Sequence, residues 1–194
     1  RINPIKTGPA CRRAGNAEMH LGRAGIQHHF LNFHAGRAAH YGIIHLALNM
    51  YFLYVLGPLL EPQLGRVRFL LLYMASLLAG SLGAILLSPS SLTAGASGAV
   101  FGLMAAASVG LWRRGVNPFS TSIGQILLLN LFLTFVISGI SIGGHLGGAI
   151  AGAICGAVML APAYRRGPAW TIWATPLAVG IGSVVAVIMI VNAA

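Results

Sequence analysis

One serine and one histidine are placed so that they could do covalent chemistry together. Ser97 lies in Gly95-Ala96-Ser97-Gly98, and His145 follows Gly144 in Gly144-His145-x2-Gly148. A hydroxyl within reach of an imidazole is the nucleophile–base arrangement of covalent catalysis. Each residue also has a plainer reading. Ser97 could be one more small packing residue in a Gly/Ala-rich helix, and His145 could make an interhelical hydrogen bond without chemistry. The GxSG pattern does not decide, because it lacks the strand-to-helix context of a nucleophile elbow. His45 and Asn49 are spaced i, i+4 and so share a helix face. They could aim hydrogen bonds at developing negative charge, as in an oxyanion hole, or simply join two helices. Phe101 stands one turn after Ser97 on the same face. It could support an imidazole ring by stacking, or could be an ordinary core or lipid-facing aromatic.

Other chemistries are excluded by composition. The acidic residues are Glu18 and Glu61, and the chain contains no Asp. That removes an aspartyl dyad and a Ser-His-Asp triad. No HExxH is present, the early histidines have no metal-site spacing, and the cysteines are Cys11 and Cys155 alone, so neither a metal nor any other cofactor is expected. Glu61 reads as structural, pairing with backbone donors or loop arginines, and Cys155 as a small buried apolar residue.

These side chains must be positioned by elements built for lipid. The 194 residues are 57% hydrophobic and 7% charged, whereas a soluble domain carries about 25% charged residues. The net charge of +10 would suit a nucleic-acid partner. Here, however, the charges from residue 41 onward sit between apolar runs, as in a polytopic membrane protein, and no nucleic-acid role is expected. Apolar runs cover about 41–60, 67–88, 94–112, 119–138, 141–162 and 169–192. Each is long enough for a membrane-spanning helix, which needs about 20 residues. The expected fold is therefore an all-α transmembrane helical bundle with about six membrane helices.

The arginines orient it. Arg66 and Arg68, Arg113 and Arg114, and Arg165 and Arg166 follow the first, third and fifth runs. By the positive-inside rule these loops are cytoplasmic. His45, Asn49, Ser97 and His145 then all lie in the first half of helices running from outside to inside, at similar depth in the outer leaflet. Two ladders of small residues favour close packing of the helices that carry Ser97 and His145. One is Ala94, Gly98, Gly102, Ala106 and Gly110; the other is Gly144, Gly148, Gly152 and Gly156. Residues 1–40 differ, holding six of the twelve basic residues and five of the seven histidines. This basic segment conflicts with an outside location, and an additional upstream helix would resolve the conflict.

At this level of detail the sequence resembles the rhomboid intramembrane serine proteases. The matching elements are His45-x3-Asn49-Met50, Leu56-Gly57-Pro58, Glu61-Pro-Gln-Leu64-Gly65, Gly95-Ala96-Ser97-Gly98-Ala99-Val100-Phe101-Gly102 and Gly144-His145-x2-Gly148-x3-Gly152. The resemblance spans residues 40–165. It implies Ser97 as nucleophile and His145 as general base, in a dyad without a carboxylate. It implies His45, Asn49 and the Ser97 backbone amide as oxyanion donors. Phe101 stands where the family often has Tyr, as a shelf under the imidazole, while Gly95, Gly148 and Gly152 support the packing. The family also has a membrane helix ahead of the His45 helix and an embedded loop with a Trp-Arg pair. Residues 1–40 show neither.

The expected organisation is thus 1–40 as an atypical basic segment, incomplete or misread, 41–165 as the catalytic core, and 166–194 as an extra C-terminal membrane helix. The implied activity is endopeptidase cleavage of transmembrane protein substrates near the outer leaflet. The alternative is an inactive family member that binds transmembrane clients. A transporter is disfavoured, since no inverted repeat and no intramembrane acid is present. The high Arg-to-Lys ratio and abundant Ala and Gly suggest a bacterial cytoplasmic membrane. Oligomeric state is not encoded in any motif.

Overall fold

The computed structural model describes residues 43–87, 96–137 and 139–193. The 1–40 segment, Ala94 and Gly95 lie outside these. The chain divides into two compact units, Arg1–Leu48 and Asn49–Ala194. Of the first, residues 43–48 are described, and they are helical.

Among the described residues the fold is helical and contains no strand. The six helices are α1 (Ile43–Leu64), α2 (Arg66–Leu87), α3 (Ala96–Arg113), α4 (Ser122–Val136), α5 (Ile142–Met159) and α6 (Thr171–Ala193). An α-helix satisfies its own backbone, which apolar surroundings cannot do for it. Short signals separate the helices. Gly65, at φ +76°, makes the left-handed turn between α1 and α2. Thr121 caps α4 by accepting from the Gly124 amide, and Ser141 caps α5 by accepting from the Gly144 amide at 3.1 Å.

Four helices, α1, α2, α5 and α6, are long and apolar enough to cross a membrane. The other two differ from the expected spans in instructive ways. Asn117, Pro118 and Thr121 divert the start of the 119–138 run into a 3-10 turn at Pro118–Ser120, leaving α4 with 15 residues. At about 1.5 Å per residue, α4 falls short of a bilayer core about 30 Å thick. Helix α3 is rich in Gly, Ala and Ser and is enclosed by its neighbours, with thirteen of its eighteen residues buried.

Small residues determine which helices meet. A Cβ on Gly148 would collide with the Gly98 backbone, one on Gly152 with Gly102, and one on Gly156 with Ala106. Both residue numbers rise together, so α3 and α5 run parallel with backbones in contact. An adjacent edge of α5 meets α2 in the antiparallel sense, Gly143 against Gly83 and Gly147 against Ala79. Gly80 of α2 also approaches both Gly98 and Gly144, so three helices converge there. Away from this seam the core is larger. Leu56, Leu60 and Leu64 of α1 pack with Leu72, Phe101, Leu103, Met104, Cys155 and Met159. Cys155 is fully buried. Glu61 makes an exposed ion pair with Arg66, at 3.2 Å, a contact of the kind worth about 0–1 kcal/mol.

Candidate active site

The helix seam brings the neighbours of Ser97 and His145 together. A Cβ built on Gly98 would stand 2.9 Å from the Gly144 carbonyl oxygen. Ser97 precedes Gly98 and His145 follows Gly144, so both side chains belong to the same level of the bundle. Both are buried, with 6% and 5% of their surface exposed. Ser97 is the second residue of α3 and His145 the fourth of α5. The Ser141 cap fixes the start of α5, and the His145 amide continues the helix by donating to the Ser141 carbonyl.

Phe101 and Thr134 both hold the His145 ring. Its face stacks on Phe101, with centroids 4.0 Å apart and planes 16° from parallel. Its Nδ1 lies 2.7 Å from the Thr134 hydroxyl. Phe101 reaches the ring because it sits one turn beyond Ser97, on the helix packed against α5. Thr134 comes from α4, and its Oγ1 also donates to the Asn130 carbonyl one turn earlier, at 2.8 Å.

Gly148 and Gly152 lie below His145 on the α5 face that touches α3. Asn49 is buried on α1, as the first residue of the second unit. His45 belongs to the first unit, as the third residue of α1. Gly95 lies outside the described residues.

Thr134 is the site residue that the sequence pattern did not reveal. Threonine in an apolar helix ordinarily bonds its own backbone, and Thr134 does so as well. The available signal was its place near the end of α4, a few residues before the turn leading to His145. Among the described residues no three His, Cys, Asp or Glu side chains gather as metal ligands.

A buried hydroxyl and a buried imidazole on parallel helices, with the ring held at its face and at one nitrogen, can support proton transfer and nucleophilic attack. Comparison with known proteins points to one family. The Rhomboid domain model matches residues 29–162. "Rhomboid protease GluP" of Bacillus subtilis (strain 168) is 39% identical over 108 residues, 54% of this chain and 21% of that protein. "RHOMBOID-like protein 1" of Arabidopsis thaliana is 35% identical over 97 residues, 48% of this chain and 25% of that protein. The chain thus spans a quarter or less of the length of these relatives. No solved structure gives a significant match. With a family match covering most of its length and an all-helical bundle of apolar helices, this multi-pass membrane protein belongs to the rhomboid family.

Proposed function

We propose that the chain is an intramembrane serine endopeptidase acting through a Ser97–His145 dyad on transmembrane protein substrates. The observation that supports this most is the backbone contact of Gly98 with Gly144, which sets the two candidate groups at one level on touching helices. In the proposed reaction His145 takes the Ser97 proton as Oγ attacks the scissile carbonyl. The resulting oxyanion is stabilised by Asn49 and by the Ser97 amide. That amide lies in the first turn of α3, where the helix dipole favours negative charge. His45 joins them on the sequence pattern alone. His145 then gives its proton to the leaving amine, and the acyl group remains on Ser97. A water molecule, deprotonated by His145, releases the acid and restores the hydroxyl.

The peptide bonds of a substrate helix are shielded by their own hydrogen bonds. Substrates should therefore carry helix-weakening residues near the cut and a small residue just before it. The site should open toward the outer side of the membrane, the depth given by the arginine pattern.

Treatment with a fluorophosphonate, read by mass spectrometry, tests the proposal. A covalent adduct on Ser97 that disappears in His145→Ala supports the protease. A folded protein that takes up no adduct and cleaves no transmembrane substrate points instead to a client-binding family member.

A further inference from the structure

We infer that Thr134 is a positioning residue for the general base, holding His145 with its proton on Nδ1 and its lone pair on Nε2. The inference rests on the reading of His145 as the base for Ser97.

The reasoning begins from proton count. A threonine hydroxyl has one proton to donate. The Asn130 carbonyl, 2.8 Å from Thr134 Oγ1, has none and can only accept. The hydroxyl proton is therefore committed to that carbonyl. Toward His145 Nδ1, at 2.7 Å, the oxygen is left with its lone pairs. The hydrogen of this second bond must come from Nδ1. A neutral imidazole carries one N–H, so Nε2 is left as the acceptor. That tautomer is the one able to take a proton at Nε2.

The surroundings of Thr134 agree with a specific task. Of the fifteen residues of α4, only Gly124 and Thr134 are buried. A hydroxyl that merely bonded its own helix would need no partner on α5. The hydrogen bond also leaves the ring free to stack flat on Phe101. Together the two contacts fix the ring plane, its rotation and its tautomer. In a Ser-His-Asp triad a carboxylate performs the last of these tasks. This chain has no Asp, and a neutral hydroxyl does the work without a charge buried in the bundle.

The test uses the whole chain in detergent or vesicles with a transmembrane substrate. It compares Thr134→Val, which keeps the shape but removes the oxygen, with Thr134→Ser, which keeps the oxygen. Thr134→Val should lower kcat roughly 10- to 100-fold, the range expected for one hydrogen bond to a group that becomes charged, with KM unchanged. Fluorophosphonate labelling of Ser97 should slow in parallel, and Thr134→Ser should restore both. Nitrogen-15 NMR of the parent protein, labelled at histidine, should show His145 protonated on Nδ1.

Parent-like kcat in Thr134→Val, in an assay where Ser97→Ala is inactive, would overturn the positioning role and leave the dyad standing. A resting proton on Nε2 in the parent would overturn it without any variant, which covers the case of a Val variant that fails to fold. Full activity of Ser97→Ala would remove the dyad reading itself, and the inference with it.

Discussion

A serine hydroxyl is a weak nucleophile until a base takes its proton, so Ser97 and His145 must act as one unit if they act at all. Ser97→Ala should abolish cleavage while leaving thermal stability near that of the parent, because alanine suits the small-residue seam. His145→Ala should be about as damaging, and the double variant little worse than either, since members of one catalytic unit are not additive. Turnover measured across this cycle checks it, and multiplicative losses would mean that the two residues act separately. Asn49→Ala should slow turnover by roughly 100- to 1000-fold, the usual cost of one oxyanion donor, while Ser97 stays open to fluorophosphonate. An unchanged rate would make the buried Asn49 a packing residue. The buried polar side chains Ser97, Asn49 and His145 were legible in the sequence. Lipid makes a polar group at depth costly, so Ser97, Asn49 and His145 stood out against Leu, Ala and Gly. Thr134 did not, because its methyl group and its bond to Asn130 let it pass for an ordinary apolar-helix residue.

Helices in lipid gain little from hiding apolar surface, so how closely they approach depends on which side chains are absent. Gly152→Val would drive a branched side chain into the Gly102 backbone and part α3 from α5. Cleavage and Ser97 labelling should both fall about 100-fold or more, since displacing catalytic groups by 1 Å can cost that much. A Val variant with full activity would mean that the seam does not align the dyad. Gly182, on α6, has no atom within 4 Å of where its Cβ would lie. Gly182→Ala should therefore leave cleavage unchanged and raise stability by up to about 1 kcal/mol, through helix propensity alone. Thermal melting beside the Gly152 variant checks both. The α3–α5 seam was readable because Gly and Ala recur there every four residues. The matching edge of α2 was not. Ser76, Ala79, Gly80 and Gly83 are scattered among leucines in a helix that reads as a plain apolar span. The true start of α4 was hidden by hydropathy, although Asn117-Pro118 and Thr121 carried the capping chemistry that sets it.

Within Asn49–Ala194 the helix directions collect the arginines at one end. Helix α2 starts at Arg66, antiparallel to α3 and α5, while Arg113 ends α3 and Arg165 and Arg166 follow α5. Aromatic side chains accompany them, with Arg68 over Trp173 and Arg165 over Tyr164. That combination suits a membrane–water boundary, and the positive-inside rule predicts that it is the cytoplasmic one. A cysteine placed by Arg114→Cys should react with an impermeant maleimide in inverted vesicles and not in intact cells; the reverse result would turn the protein over in the membrane. At the centre of the bundle the chain already carries a thiol of its own. Cys155 lies between Gly152 and Gly156, sealed from every side. A small permeant alkylating reagent can reach it only in moments when the helices part, so its reaction rate counts those moments. Mass spectrometry can follow that count at the Cys155 peptide, with no introduced cysteine. A slow clock under turnover conditions would mean that a substrate is admitted and released while the α3–α5 seam stays shut.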